Sequence, residues 1–210
     1  KRRGLCEVNL LTKTITVLHK WTQAQKPVNL YSDGNETLYV STSSGLVIYD
    51  LWSKTVKVLS HSSYDPRSLS GNYLTASLVD SRGGMWVGTR EYGLNYSFKE
   101  ELFHKVCYLS SGHSLNGCMV RAMSEDYNGD IWIATERSGL LKYDPQTDVL
   151  LRMYENTLPF FITTVLCDED IVWCGTQNGI IGIDKRRNSV KHYYADNDAQ
   201  QENRVLSLYK

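Results

Sequence analysis

The chain of 210 residues lacks the marks of several large functional classes. It has no surplus of charge, because 23 Lys and Arg balance 23 Asp and Glu. A neutral chain offers no electrostatic footprint for a polyanion, so no direct nucleic acid contact is expected. The densest basic runs, Lys1-Arg2-Arg3 and Lys185-Arg186-Arg187, read as a solvated terminus and a solvated turn. No run of 18 apolar residues occurs, so no membrane-spanning helix is expected within the segment. The opening Lys-Arg-Arg, without Met or a signal sequence, suits a piece of something longer. The five cysteines (Cys6, Cys107, Cys118, Cys167 and Cys174) lack C-x-x-C spacing and are expected as small buried apolar residues.

Chemistry-bearing motifs are equally scarce. The histidines at 19, 61, 104, 113 and 192 show no H-E-x-x-H or other paired-ligand spacing. There is no Gly-x-Ser-x-Gly elbow, P-loop or dinucleotide fingerprint. The segment "DYNGD", residues 126–130, has Ile131 where a calcium loop needs Gly and Arg137 where it needs a bidentate acid, so it reads as a turn. No catalytic residue, metal or cofactor is expected.

What the chain does have is repetition. "SDGNETLYVSTSSGLVIYD" from Ser32 returns as "VDSRGGMWVGTREYGLNYS" from Val79, "EDYNGDIWIATERSGLLKYD" from Glu125 and "CDEDIVWCGTQNGIIGID" from Cys167. One aromatic position falls at Tyr39, Trp86, Trp132 and Trp173, and one glycine at Gly45, Gly93, Gly139 and Gly179. Successive copies are thus 40 to 48 residues apart. Gly4-Leu5 begins a further, partial copy.

Each copy reads as four strands. An apolar segment reaches an Asp-containing turn, where Asp and Gly favour tight geometry. The next strand ("LYVST", "MWVGT", "IWIAT", "VWCGT") is nearly continuous in apolar character, as suits a strand packed on both faces. Ser41, Gly88, Ala134 and Gly175 leave room there for a neighbouring sheet. The recurring glycine turns into a third strand, and segments such as "TVKVL" from Thr55 supply a fourth. Four-stranded antiparallel units at this period predict an all-β fold, a β-propeller whose blades bury their faces against each other. The expected fragment has about four full blades with partial blades at both ends. Its boundaries are 1–21 for the outer strands of one blade, 22–63, 64–108, 109–155 and 156–198 for full blades, and 199–210 for the inner strand of the next.

No Trp-Asp pair occurs, only one Gly-Gly (Gly83-Gly84) appears, and the sialidase Asp-box spacing is not met, because Asp80 and Asp126 sit six residues before Trp. Trp86-Val87-Gly88-Thr89 with Gly93-Leu94, and Trp132-Ile133-Ala134-Thr135 with Gly139-Leu140, closely resemble the two-component regulator propeller repeat. Two copies depart from it: Leu38-Tyr39 replaces apolar-Trp, and the fourth turn is one residue shorter with no Gly.

The resemblance implies a periplasmic sensor, the ectodomain of an inner-membrane hybrid two-component histidine kinase of Bacteroidetes. Such proteins detect oligosaccharides and so control genes for glycan use. The kinase, and the helix through which alone a membrane would be reached, would lie outside this segment, which is then not itself an enzyme. The expected partners are an oligosaccharide ligand and a second copy of the sensor, as a homodimer; raw blade faces of the excised piece would also favour self-association. A sugar needs planar polar groups and aromatic faces. The turns between the second and third strands, and the linkers on the same rim, offer Tyr64, Arg67, Arg90, Tyr92, His113, Glu136, Arg137, Gln177 and Asn178 as ligand-binding candidates. The alternatives are a propeller lyase or glycosidase using Arg90 and Tyr92, and a passive protein-interaction scaffold.

Overall fold

A computed structural model describes residues 4–98, 102–194 and 203–209. The chain begins with an antiparallel hairpin of β1 (Gly4–Asn9) and β2 (Thr14–Lys20). Four antiparallel sheets of four strands follow, each laid down in chain order. The first holds β3 (Pro27–Ser32), β4 (Thr37–Thr42), β5 (Gly45–Asp50) and β6 (Val56–Leu59). The second holds β7 (Leu74–Val79), β8 (Gly84–Thr89), β9 (Leu94–Phe98) and β10 (His104–Val106). The third holds β11 (Val120–Glu125), β12 (Ile131–Thr135), β13 (Leu140–Asp144) and β14 (Val149–Met153). The fourth holds β15 (Ile162–Asp168), β16 (Ile171–Thr176), β17 (Ile180–Asp184) and β18 (Ser189–Tyr193). This is the expected all-β propeller fragment.

The second strand of each blade explains why blades stack. In β12, Ile131 and Ile133 face one cluster with Trp86 and Leu94 of the preceding blade, while Trp132 and Ala134 face another with Ile162 and Val172 of the following blade. Side chains alternate across a strand, so one apolar strand feeds two interfaces. The first blade repeats this: Val40 and Val47 pack with Leu5 of the opening hairpin, whereas Leu46 packs with Leu74 and Val87 of the second blade. Trp86 is fully buried, with ring centroids 4.3 Å from Tyr96 of its own blade and 4.9 Å from Tyr143 of the next.

Two polar locks recur along the repeats, the first in the second and third blades. In the second blade Asp80 accepts the Trp86 indole N–H at 2.8 Å through one oxygen and the Gly84 N–H at 2.7 Å through the other. In the third, Asp126 accepts the Trp132 indole N–H at 2.9 Å and the Asn128 N–H at 2.9 Å. The six-residue Asp-to-Trp spacing is therefore the reach of a side-chain hydrogen bond across the turn. In the first blade Tyr39 has no such N–H, yet Asp33 still caps its turn by accepting the Asn35 N–H at 2.9 Å. The second lock is present four times. The Thr42, Thr89, Thr135 and Thr176 hydroxyls donate to the carbonyls of Gly45, Gly93, Gly139 and Gly179 at 2.7, 2.9, 2.7 and 2.9 Å. At Gly45 (φ 116°) and Gly179 (φ 89°) a Cβ would lie 2.3 Å from the Leu59 and Tyr193 carbonyl oxygens, so both the backbone and the space require glycine.

Two expectations need correction. Lys185 is not a solvated turn residue: its ammonium lies 2.9 Å from Asp126 of the third blade, tying the fourth blade to that Trp lock. The cysteines are not uniformly buried; Cys118 and Cys174 are, Cys107 and Cys167 are half-buried, and Cys6 is exposed. Burial pushes the Cys167 thiol up to about 12.

At the end of the chain residues 203–209 form no ladder, and 199–202 and 210 of the inner strand expected over 199–210 lie outside the described residues, as do 1–3. A strand needs a hydrogen-bonded partner strand, and this segment is instead tied to the fourth blade, its Val205 N–H donating to the Thr176 carbonyl at 2.9 Å. Gly179 N–H donates to Asn203 at 2.8 Å, as Gly45 does to Asn72 and Gly139 to Phe160. Asn72 and Phe160 each lie two residues before an inner strand, so Val205 holds the place of Leu74 and Ile162.

At Gly88 a Cβ would lie 2.5 Å from Val120 Cγ1 of the next blade. The Gly88→Val substitution is expected to destabilise the chain by about 2–3 kcal/mol in urea denaturation, through overpacking at the blade interface. For Asp126, burial raises the carboxyl pKa, but hydrogen bonds from Trp132, Lys185 and the Asn128 N–H, with the Lys185 charge, outweigh it and hold the value below normal. An unfolded Asp titrates near about 3.9, so this stabilisation is complete above that pH and is lost as pH falls through the depressed folded value. Asp126→Asn is expected to lower stability at pH 7 and to flatten the acid limb of the stability-versus-pH curve.

Candidate functional site

The inner strands do more than complete the sheets. All four carry a register shift at the same place: between Pro27 and Asn29, Leu74 and Ala76, Val120 and Ala122, and Ile162 and Thr164. A bulge inserts one unpaired residue and re-aims its side chain. The four bulged residues are Val28, Thr75, Arg121 and Thr163, and all four line one cavity of about 330 Å³. Leu206, which follows Val205, lines it too. One residue from each inner strand converging on one space identifies that space as the axial mouth of the propeller.

The rim supplies the rest. Arg90, Glu136 and Gln177 each follow the threonine of the second lock. Arg90 N–H donates to Tyr73 at 3.0 Å and Glu136 N–H to Met119 at 2.9 Å, which pins this rim position beside the residue that precedes the inner strand. Tyr73, Arg90 and Met119 also line the cavity. The Arg90 guanidinium lies 5.0 Å from the centre of the Tyr73 ring. The Arg121 guanidinium lies 5.1 Å from the Phe161 ring and donates to Glu136 through Nη2 at 3.2 Å. Two guanidiniums against one carboxylate leave the mouth positively charged.

Two polar atoms at this mouth are buried and unpartnered within the protein: Thr75 Oγ1 and Arg121 Nε. Thr75 is only 8% exposed. Buried hydroxyls and guanidinium N–H groups are nearly always hydrogen-bonded, and the exceptions call for an explanation. Thr163, the equivalent residue of the fourth blade, does have a partner, because its hydroxyl donates to the Val205 carbonyl.

A wider cleft of about 550 Å³ opens at the opposite end of the strands, among Tyr127, Asn128, Glu169, Asp170, Lys185 and Arg186. Its cations are already committed, Lys185 to Asp126 at 2.9 Å and Arg186 to Asp170 at 2.8 Å. The smaller axial mouth therefore has the stronger case as a ligand site.

Of the nine rim candidates, Arg90 lines the axial cavity and Glu136 reaches it through Arg121. Gln177 holds the same rim position in the fourth blade and is exposed, and the backbone N–H of Asn178 caps onto Thr176 at 2.9 Å. Tyr92 packs its ring against Gly71. Arg137 is exposed, and Tyr64 is 97% exposed. Arg67 pairs with Asp65 at 3.6 Å, and His113 Nδ1 lies 3.0 Å from the Ser111 hydroxyl. None of these last seven lines the axial cavity. Sequence reasoning missed Tyr73, Thr75, Arg121 and Thr163. A signal existed: Thr75, Arg121 and Thr163 are polar residues in the second position of inner strands that open on an apolar residue, and each precedes its lock threonine by 13 or 14 residues.

The sequence signature of the two-component regulator propeller matches residues 68–91 and 114–137. Each window runs from the linker through the inner strand, Asp turn and Trp strand to the rim, taking in Thr75 and Arg90 or Arg121 and Glu136. No curated protein sequence matches significantly. Among solved structures, the extracellular domain of BT3049 from B. thetaiotaomicron, assigned to a hybrid two component system, is 17% identical with a TM-score of 0.53 over 94% of this chain and 34% of its own. PorZ, a surface component of the type-IX secretion system of Porphyromonas gingivalis, is 17% identical with a TM-score of 0.63 over 87% of this chain and 29% of its own. Virginiamycin B lyase from Staphylococcus aureus is 12% identical with a TM-score of 0.71 over 94% of this chain and 64% of its own. The chain spans about a third of the length of the first two. At these identities the likeness is one of fold.

Because its hydroxyl is buried without a partner, Thr75→Val is expected to leave the chain equally stable or to stabilise it by about 1 kcal/mol in urea denaturation. A loss of more than about 1 kcal/mol would show that the hydroxyl has a structural partner after all.

Proposed function

Starting from the match of residues 68–91 and 114–137 to the two-component regulator propeller, we propose that the chain is an extracytoplasmic ligand-sensing segment of a hybrid two-component sensor. Its ligand is an oligosaccharide held at the axial mouth and rim, and its output is a change in the geometry of a sensor homodimer. The observation that carries this reading is the convergence of one bulged residue from each blade on one cavity, together with Arg90 and Tyr73. Guanidiniums make paired hydrogen bonds to hydroxyls and oxyanions, and ring faces such as Tyr73 and the exposed Phe160 suit the C–H surface of a sugar.

A ligand can shift a protein between two arrangements only by binding one of them better. A cavity walled by several blades meets that condition, because its dimensions depend on how the blades are spaced. The segment itself is read as non-catalytic. In the lyase or glycosidase alternative Arg90 and Tyr92 would act together, but Arg90 lies over Tyr73 while the Tyr92 ring lies on Gly71.

Calorimetry of the complete ectodomain containing this chain, against a panel of neutral and acidic oligosaccharides, tests the proposal. Saturable binding that weakens when Tyr73 is replaced by Ala is the expected result. A folded ectodomain that binds none of the panel would overturn glycan sensing, and turnover of a bound saccharide would overturn the non-catalytic assignment.

A further inference from the structure

The axial mouth carries chemistry that a neutral ligand would leave unused. Among the described residues no carboxylate pairs with Arg90, Arg137 or Arg204, whereas Arg67, Arg82, Arg121, Arg152, Arg186 and Arg187 all have one within 4.0 Å, and of the three without one Arg90 lines the axial cavity. Arg90 is exposed, and its guanidinium is held over the Tyr73 ring at 5.0 Å, at the edge of the cavity. Deeper in, Arg121 has spent Nη2 on Glu136 while its Nε is buried and unpartnered. The Thr75 hydroxyl, in a residue 8% exposed, is also without a partner and lines the same space. The site thus combines a free cation at the entrance with two orphaned N–H or O–H donors inside.

Such a set has one obvious complement. An oxyanion accepts several hydrogen bonds and carries the charge that a planar guanidinium matches. A neutral hydroxyl could satisfy Thr75 or Arg121 Nε, but it would not answer the positive charge. Burying a donor without a partner is destabilising, so these orphaned groups are best explained by an acceptor that arrives from outside.

We propose that the axial mouth recognises an oxyanion, a carboxylate or sulfate, on its ligand, with Arg90 as the charge partner and Thr75 and Arg121 Nε as the inner donors. This rests on the sensing reading above and narrows it to acidic ligands.

The test uses the complete ectodomain containing this chain, labelled with 15N-arginine, at constant ionic strength, with sodium glucuronate, sodium sulfate and glucose as probes. NMR reads the arginine Nε–Hε signals. Glucuronate or sulfate is expected to move the Arg90 and Arg121 signals saturably, while glucose at equal concentration moves neither. Arg90→Gln, a change at an exposed side chain, is expected to weaken the anion response at least tenfold. Thr75→Val is expected to weaken it several-fold, and Arg67→Gln to leave it unchanged.

An equal response to glucose and glucuronate, no saturable response to either anion, or an anion response indifferent to Arg90→Gln would each overturn the proposal. The two readings fail separately. A neutral oligosaccharide that moves these signals where glucuronate does not would defeat the oxyanion assignment and leave glycan sensing standing. Anion binding at Arg90 with no oligosaccharide bound by the complete ectodomain would do the reverse.

Discussion

A sheet whose second strand is apolar on both faces must be covered twice, and this constraint organises the whole chain. A single blade such as β11–β14 cannot bury Ile131 and Ile133 on one side and Trp132 and Ala134 on the other by itself. It needs one neighbour for each face, which is why stability here is a sum of interfaces between successive repeats. The packing clusters accordingly straddle blades rather than fill them. Gly88 then has a clear role: it lies where Val120 of the next blade presses closest, and a side chain there would push two blades apart.

The polar locks follow from the same constraint. Trp86 fills an interface completely, yet its indole N–H must be satisfied inside it. Asp80 does this while its second oxygen closes the turn onto Gly84. A buried carboxylate is costly unless it is hydrogen-bonded and paired. Asp80 meets that demand with Arg82 at 3.3 Å, and Asp126 meets it with Lys185 of the neighbouring blade at 2.9 Å. The Asp126 lock therefore ties one blade to another as well as one turn to its strand.

Much of this architecture was legible in the sequence, because it rests on short-range rules that repeat. The Trp strands, the recurring glycines and the small residues at 41, 88, 134 and 175 recur in phase, and four copies make the pattern hard to mistake. The partner of an indole six residues away was less legible, since Asp in a turn is explained well enough by capping alone. The Lys185 pair with Asp126 was not legible, because 59 residues separate them and only blade stacking brings them together. The axial mouth was legible by half. Arg90 and Glu136 could be placed on the rim by their phase after the lock threonine, but the bulges that turn Thr75 and Arg121 inward leave only a weak mark, a polar residue in the second position of an inner strand. A bulge is a choice of register, and register is fixed by the strand's neighbours.

The position of that mouth bears on how occupancy could become a signal. Its wall takes one residue from each inner strand, and those strands belong to blades that otherwise touch through apolar clusters and a few polar ties. Apolar contacts are non-directional, so they permit small sliding of one blade on the next more readily than a hydrogen bond does. A group bound at the axis would bridge Thr75 of the second blade and Arg121 of the third with directional bonds, and so would favour one spacing over others. The groups left unpartnered at the axis are then a local sacrifice of stability at the one place where every blade can be addressed at once. The Trp locks of the second and third blades and the Thr locks of all four tie strands within single sheets, so a shift in that spacing would leave them intact.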